Sequence, residues 1–218
     1  MSDWIPLSAD EWTAVALSLK VALWATLASL PVGIAAAMVL ARGQFWGKSL
    51  LDGLVHLPLI LPPVVTGYLL LLTFGRNGAV GGFLAEQFGV VFAFRWTGAA
   101  LAGAIMGFPL MVRAIMCALS TSIEMLIFAR GLQAVGGAAG MILSFARAMG
   151  EFGATITFVS NIPGETQTLP SAIYTFTQVP GGDAQTLRLT LVAVALSFAA
   201  LLLSNWLSRR IARGIGQA

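Results

Sequence analysis

Apolar residues in this chain gather into long unbroken runs, unlike the alternation of a half-buried strand or the stripe of a soluble helix. Five runs, over 21–41, 50–74, 98–118, 138–159 and 187–207, reach the twenty or so residues a helix needs to cross a bilayer. Each is bounded by polar or Gly/Pro-rich sequence. Helix is the conformation they predict, because an isolated strand would leave its backbone groups unpaired in hydrocarbon. The first helix is expected to begin ahead of its lipid-facing part, since Ser8 followed three residues later by Glu11 fits a capping box. From 160 to 186 the chain is interrupted by Pro163, Pro170 and Pro180-Gly181-Gly182. Its apolar middle, 169–179, suits a short interfacial or re-entrant helix and is too short to span.

Composition agrees with that pattern. The 218 residues are 58% hydrophobic and 10% charged, against about 25% charged in a soluble domain, and the mean hydropathy is +0.88. The expected fold is therefore all-α, a polytopic transmembrane bundle of about five spans forming a single domain over 1–218. A net charge of +3 does not point to nucleic acid, because the basic residues are scattered or cluster at the ends of the runs, where membrane topology places them. With the N-terminus outside, Arg42, Lys48, Arg113, Arg130, Arg209, Arg210 and Arg213 fall on the cytoplasmic side. Lys20, Arg76, Arg95 and Arg188 fall outside, and seven against four favours N-out, C-in. The first twelve residues hold Asp3, Asp10 and Glu11 with no Lys or Arg, unlike a cleavable signal, so the first run is expected to remain.

Few residues carry candidate chemistry. Pro58, Pro62 and Pro63 lie inside the second run, so that helix must kink or unwind, either as a hinge lining a pathway or as a kink packed by its neighbours. Arg147 and Glu151 in the fourth run are four apart and share a helix face. Charges at this depth are functional hypotheses by default, yet an exposed glutamate would repel an anion, so the pair reads as a structural or gating contact. Thr155 and Thr157 offer hydroxyls for transient anion contacts or for helix packing. Gly103-x-x-x-Gly107 and Gly136-x-x-x-Gly140 have the spacing of close helix packing.

Other signals are excluded by their context. Gly47-Lys48-Ser49 resembles the end of a phosphate loop, but Arg42 stands where the first glycine is needed and no strand precedes it. Nucleotide hydrolysis, where required, belongs to another chain. His56 is the only histidine and Cys117 the only cysteine, which excludes an intrachain disulfide and leaves no metal-ligand set; His56 reads as a packed or interfacial residue. No nucleophile–base–acid constellation is visible, and Ser171 and Tyr174 have no evident partners. No enzyme activity and no cofactor are expected of this chain. The absence of a visible internal repeat counts against a secondary carrier.

The stretch FARAMGEFGATITFVSNIPGETQTLPSAIY over 145–174 closely resembles the permease subunit of bacterial molybdate ABC importers, with supporting matches in HLPLILPPVVTGY over 56–68 and FPLMVRAI over 108–115. The likeness covers nearly the whole chain, in order. It implies an ABC type I importer permease-like fold, a homodimer in the bacterial inner membrane, two cytoplasmic ATPase subunits carrying ATP-Mg, and a periplasmic binding protein delivering molybdate, with tungstate as a close relative. In that family a cytoplasmic coupling helix docks into the ATPase. Here the corresponding segment, within 119–137, keeps Glu124 and Gly131 at a family-like separation and a small residue at Ala129. It departs from the pattern in the bulky Leu126 and Ile127, in lacking the terminal Leu-Pro, and in being about a dozen residues short. Two alternatives therefore stay open: a stand-alone channel or secondary carrier, and an uncoupled paralogue that does not transport.

Overall fold

The computed structural model describes residues 7–119 and 137–215. The chain forms helices α1 (Ala9–Arg42), α2 (Lys48–Ile60), α3 (Pro63–Phe74), α4 (Ala79–Phe88), α5 (Trp96–Leu119), α6 (Gly137–Met149), α7 (Gly153–Val159), α8 (Leu169–Thr177) and α9 (Asp183–Ile215), and no strand occurs among the described residues. By length and composition α1, α5 and α9 can each cross a membrane. Two bent pairs, α2 with α3 and α6 with α7, raise the number of spans to as many as five.

The local chemistry that starts α1 is the expected capping box. The Ser8 hydroxyl accepts from the Glu11 amide, and the Glu11 carboxylate accepts from the Ser8 amide at 2.6 Å, so two donors at the helix start are satisfied. Glu11 is fully buried, because the same carboxylate also takes Arg188 of α9 at 3.0 Å. Burial alone would raise the Glu11 pKa. The Ser8 and Arg188 hydrogen bonds and the Arg188 charge outweigh it and hold the carboxyl below its ordinary value.

α5 is the central helix, packed between α1 and α6. Small residues set how close these helices come. A side chain on Gly103 would press on Ala148, one on Gly107 would lie 2.7 Å from the Ser144 hydroxyl, and one on Gly140 would collide with Ala114. Ser144 completes the α5–α6 contact by donating to the Gly107 carbonyl at 2.9 Å. Close packing is thus what the Gly103–Gly107 spacing provides, while Gly136 lies outside the described residues. Around α5, the buried Leu17 and Val21 of α1 meet Leu70 of α3, Met106 of α5 and Phe158 of α7. Farther along, Leu40 of α1 packs with Val55 of α2 and Met116 of α5.

The expected short helix at 169–179 is present as α8, wedged between α1 and α9 through Ala14, Leu169, Ala172 and Leu189. The Leu169 amide donates to the Ser18 hydroxyl of α1. Two features add to the expected pattern. The break expected in the second run is sharp, α2 and α3 meeting at 115°. The connection that follows it holds a further helix, α4, closed by Gly89 in the left-handed conformation (φ +65°). Leu187, Leu191, Val194, Phe198 and Leu202 of α9 are all exposed. A helix so apolar on its open face is stable only against lipid or another apolar surface.

Candidate functional site

Both bent pairs break where the sequence withholds backbone donors or side chains. Pro62 and Pro63 have no amide proton, and each pushes its predecessor out of the helical region. Leu61 and Pro62 accordingly take extended conformations (ψ 140° and 135°). α2 ends with the Leu61 amide on the Leu57 carbonyl, and α3 restarts with Pro63 in its first turn. The Pro62 carbonyl serves the new helix, accepting from Val65 at 2.9 Å and Thr66 at 3.2 Å.

The second break, bent by 54°, lies between Met149 and Gly153. Glu151 organises it. One carboxylate oxygen accepts from the Ala154 amide at 2.9 Å, capping the first turn of α7. The other takes Arg147 of α6 at 2.8 Å. Glu151 is 2% exposed, while the Arg147 side chain is about one-third exposed. The carboxylate therefore lies at a helix N-terminus and the guanidinium in the last turn of the preceding helix, the placement each helix dipole favours. No oxygen of Glu151 is left to face an anion.

The two breaks touch. A side chain on Gly153 would come within 2.8 Å of Pro63, and one on Gly67 within 2.6 Å of the Ala154 carbonyl and 2.8 Å of Thr157 Cβ. The halves α3 and α7 thus cross backbone to backbone. Thr155 is buried in α7, and Thr157 donates to the Gly153 carbonyl at 2.8 Å while its Cβ lies against the Gly67 position. Of the site residues expected from sequence, Pro62, Pro63, Arg147, Glu151, Thr155 and Thr157 are brought into this one region. The coupling residues Glu124, Ala129 and Gly131 lie outside the described residues.

Sequence reasoning did not anticipate the setting of His56. Arg113 Nε of α5 donates to His56 Nε2 at 2.6 Å, so the ring proton resides on Nδ1. That nitrogen faces the Asp52 carbonyl at 2.8 Å and the Asp52 carboxylate at 3.2 Å. The i,i+4 spacing of Asp52 and His56 was a local signal, whereas the α5 partner had none. Among the described residues no three His, Cys, Asp or Glu side chains gather as a metal site.

An all-α, multi-pass membrane bundle with two broken spans joined at their breaks has the architecture of a permease. No protein-family model matches the chain. Curated relatives do. The molybdenum transport system permease protein ModB of Escherichia coli (strain K12) is 52% identical over 219 positions, covering 93% of this chain and 96% of the relative. Its namesake in Haemophilus influenzae is 50% identical over 95% of this chain and 97% of its own length. The sulfate transport system permease protein CysW of Synechococcus elongatus is 38% identical over 63% of this chain and 54% of its own length. The chain belongs to the ModB family of molybdenum transport permeases.

Proposed function

We propose that this chain is the membrane subunit of an ATP-driven importer of molybdate, with tungstate as an alternative cargo, and that its two joined breaks form the gate. The observation that carries this reading is identity above 50% along nearly the whole length of a permease named for molybdenum transport. The importer sits in the bacterial inner membrane with its N-terminus outside and C-terminus inside, as the seven-to-four distribution of basic residues favours. Two copies form the pathway, two cytoplasmic subunits bind ATP-Mg and hydrolyse it, and a periplasmic binding protein delivers the oxyanion. This chain contributes neither nucleotide chemistry nor a cofactor site.

A tetrahedral dianion needs a wet route that opens to one side at a time. Half-helices separated by Pro62-Pro63 and by the Gly150–Gly153 segment can tilt without breaking a continuous hydrogen-bond ladder. Arg147 neutralises Glu151 at the hinge, so the passing dianion meets no free carboxylate there. Selectivity rests mainly with the binding protein, in keeping with the lack of a convergent Arg/Lys cluster among the described residues.

One observation favours a second reading, in which the chain is an uncoupled paralogue. About 93% of 218 residues is roughly 203, so the 219 aligned positions include about 16 at which this chain has no residue. The short coupling segment is where the family pattern is most disturbed. Reconstitution with the ATPase and binding protein separates the two. The importer reading expects molybdate-loaded binding protein to raise ATP hydrolysis and drive uptake, and Glu124→Ala to weaken both. An intact assembly whose hydrolysis ignores the loaded binding protein supports the uncoupled reading. Uptake by liposomes holding this chain alone, without ATP, refutes both.

A further inference from the structure

Away from the breaks, α1, α2 and α5 enclose an open apolar groove of about 680 Å³. Its long walls are stripes at four-residue spacing, Trp24, Ala28 and Val32 on α1 facing Ala100, Ala104 and Phe108 on α5. No charged side chain lines it, and of its two hydroxyl-bearing residues, Ser29 already donates to the Thr26 carbonyl. An oxyanion has no partner there. The α1 stripe continues one turn up to Lys20, whose ammonium lies 3.9 Å from the centre of the Trp96 ring at the mouth. Lys20 is exposed, and among the described residues no carboxylate pairs with it. It stands immediately before the first apolar run, where the expected topology puts the lipid headgroups.

We infer that this groove holds one acyl chain of an anionic phospholipid, whose phosphate is bound by Lys20. Two dimensions select lipid over a second copy of the chain. From Trp96 to Phe108 the groove runs twelve residues, about 18 Å, close to one leaflet of a hydrocarbon core about 30 Å thick. Val55 of α2 lines the groove and also packs with Leu40 and Met116 beyond its Val32 and Phe108 ends, so α2 lies across the path of a partner helix crossing the whole bilayer. The small Ala28, Ala100 and Ala104 line it between the bulky Trp24 and Phe108, and the cation marks the end at which a phosphate belongs.

The purified full-length chain in detergent is titrated with phosphatidylglycerol or phosphatidylcholine, and bound lipid is counted by native mass spectrometry. The anionic lipid should be held about fivefold more tightly, the effect of one lysine at a lipid surface. Lys20→Gln should abolish that preference, and Ala104→Phe should reduce retention of both lipids. A readout that needs no filled groove is fluorescence of the wild-type chain with brominated-tail phosphatidylglycerol. The quenching should shrink in Trp24→Phe, and inorganic phosphate should leave it unchanged. Equal retention of the two lipids by the wild type overturns the inference, as does displacement by inorganic phosphate. So does cross-linking of two copies through Ala28→Cys in a Cys117→Ala background.

Discussion

Gly67 gives the sharpest test of the joined breaks. In Gly67→Ala the new methyl would sit 2.6 Å from the Ala154 carbonyl oxygen and 2.9 Å from Ala154 Cα. Both are backbone atoms that no rotamer change can move. Reaching the 3.4 Å of ordinary contact requires α3 and α7 to separate by about 0.8 Å, and overpacking of this kind costs about 1–3 kcal/mol. Alanine returns up to about 1 kcal/mol of helix propensity, so a net loss of about 1 kcal/mol remains. Gly53→Ala is the internal control, because nothing lies within 4 Å of its new methyl and only the propensity gain applies. For a chain of this size each kcal/mol moves the melting temperature by about 2–4 °C. Thermal unfolding of the purified variants should therefore place Gly67→Ala below the wild type and Gly53→Ala at or above it. In the reconstituted importer, uptake should fall for Gly67→Ala and not for Gly53→Ala. A Gly67→Ala protein as stable as Gly53→Ala would refute the close crossing of α3 and α7.

Glu151 should show graded losses. Glu151→Gln keeps an acceptor for the Ala154 amide and is expected to cost about 1 kcal/mol, the scale of a partly solvated ion pair, while Glu151→Ala also uncaps α7 and should cost about 2–3 kcal/mol in denaturation. Glu11 should make stability pH-dependent. Its folded pKa is lowered, so its contribution is complete above the unfolded value of about 4.3 and is lost as pH falls through the lower folded value; melting curves should show this loss in the wild type and part of it removed in Ser8→Ala and in Arg188→Met. His56→Ala should strand Arg113 Nε and lower stability by about 2 kcal/mol, with partial recovery in His56→Gln, whose side-chain oxygen still accepts; equal melting points for all three proteins would count against the α2–α5 tie.

How much of this was legible depended on how far apart in sequence the interacting groups lie. Length and apolarity announced the spans, because in lipid the backbone must satisfy itself within each segment. Pro62-Pro63 announced the first break for an equally local reason, a missing donor. The 115° angle was not local, since the sequence does not say that Gly67 and Gly153 let α3 lie against α7. α4 had a usable signal in Gly78 and Gly89, which punctuate a ten-residue helix, but its modest apolar content was overshadowed by the spans on either side. Arg147 and Glu151 could be paired from spacing alone. The capping of Ala154 by Glu151 could not, because it requires knowing that the helix stops at Met149.

The charges show why the line falls where it does. A carboxylate entering hydrocarbon must be matched as its helix inserts, before other helices have assembled around it. Arg147 and Glu151 share one segment four residues apart, so they can enter lipid already paired, and the sequence displays the pair. Glu11 and Arg188 stand at the water-facing ends of α1 and α9, 177 positions apart. Each can remain hydrated until the bundle closes, so nothing requires its partner to be near in sequence. The same holds for His56 and Arg113, 57 positions apart, because Arg113 stands near the end of its apolar run, where a long cationic side chain can reach water until α2 and α5 meet. Contacts that must form during insertion are therefore written locally, and those that form on assembly are visible only in the folded bundle.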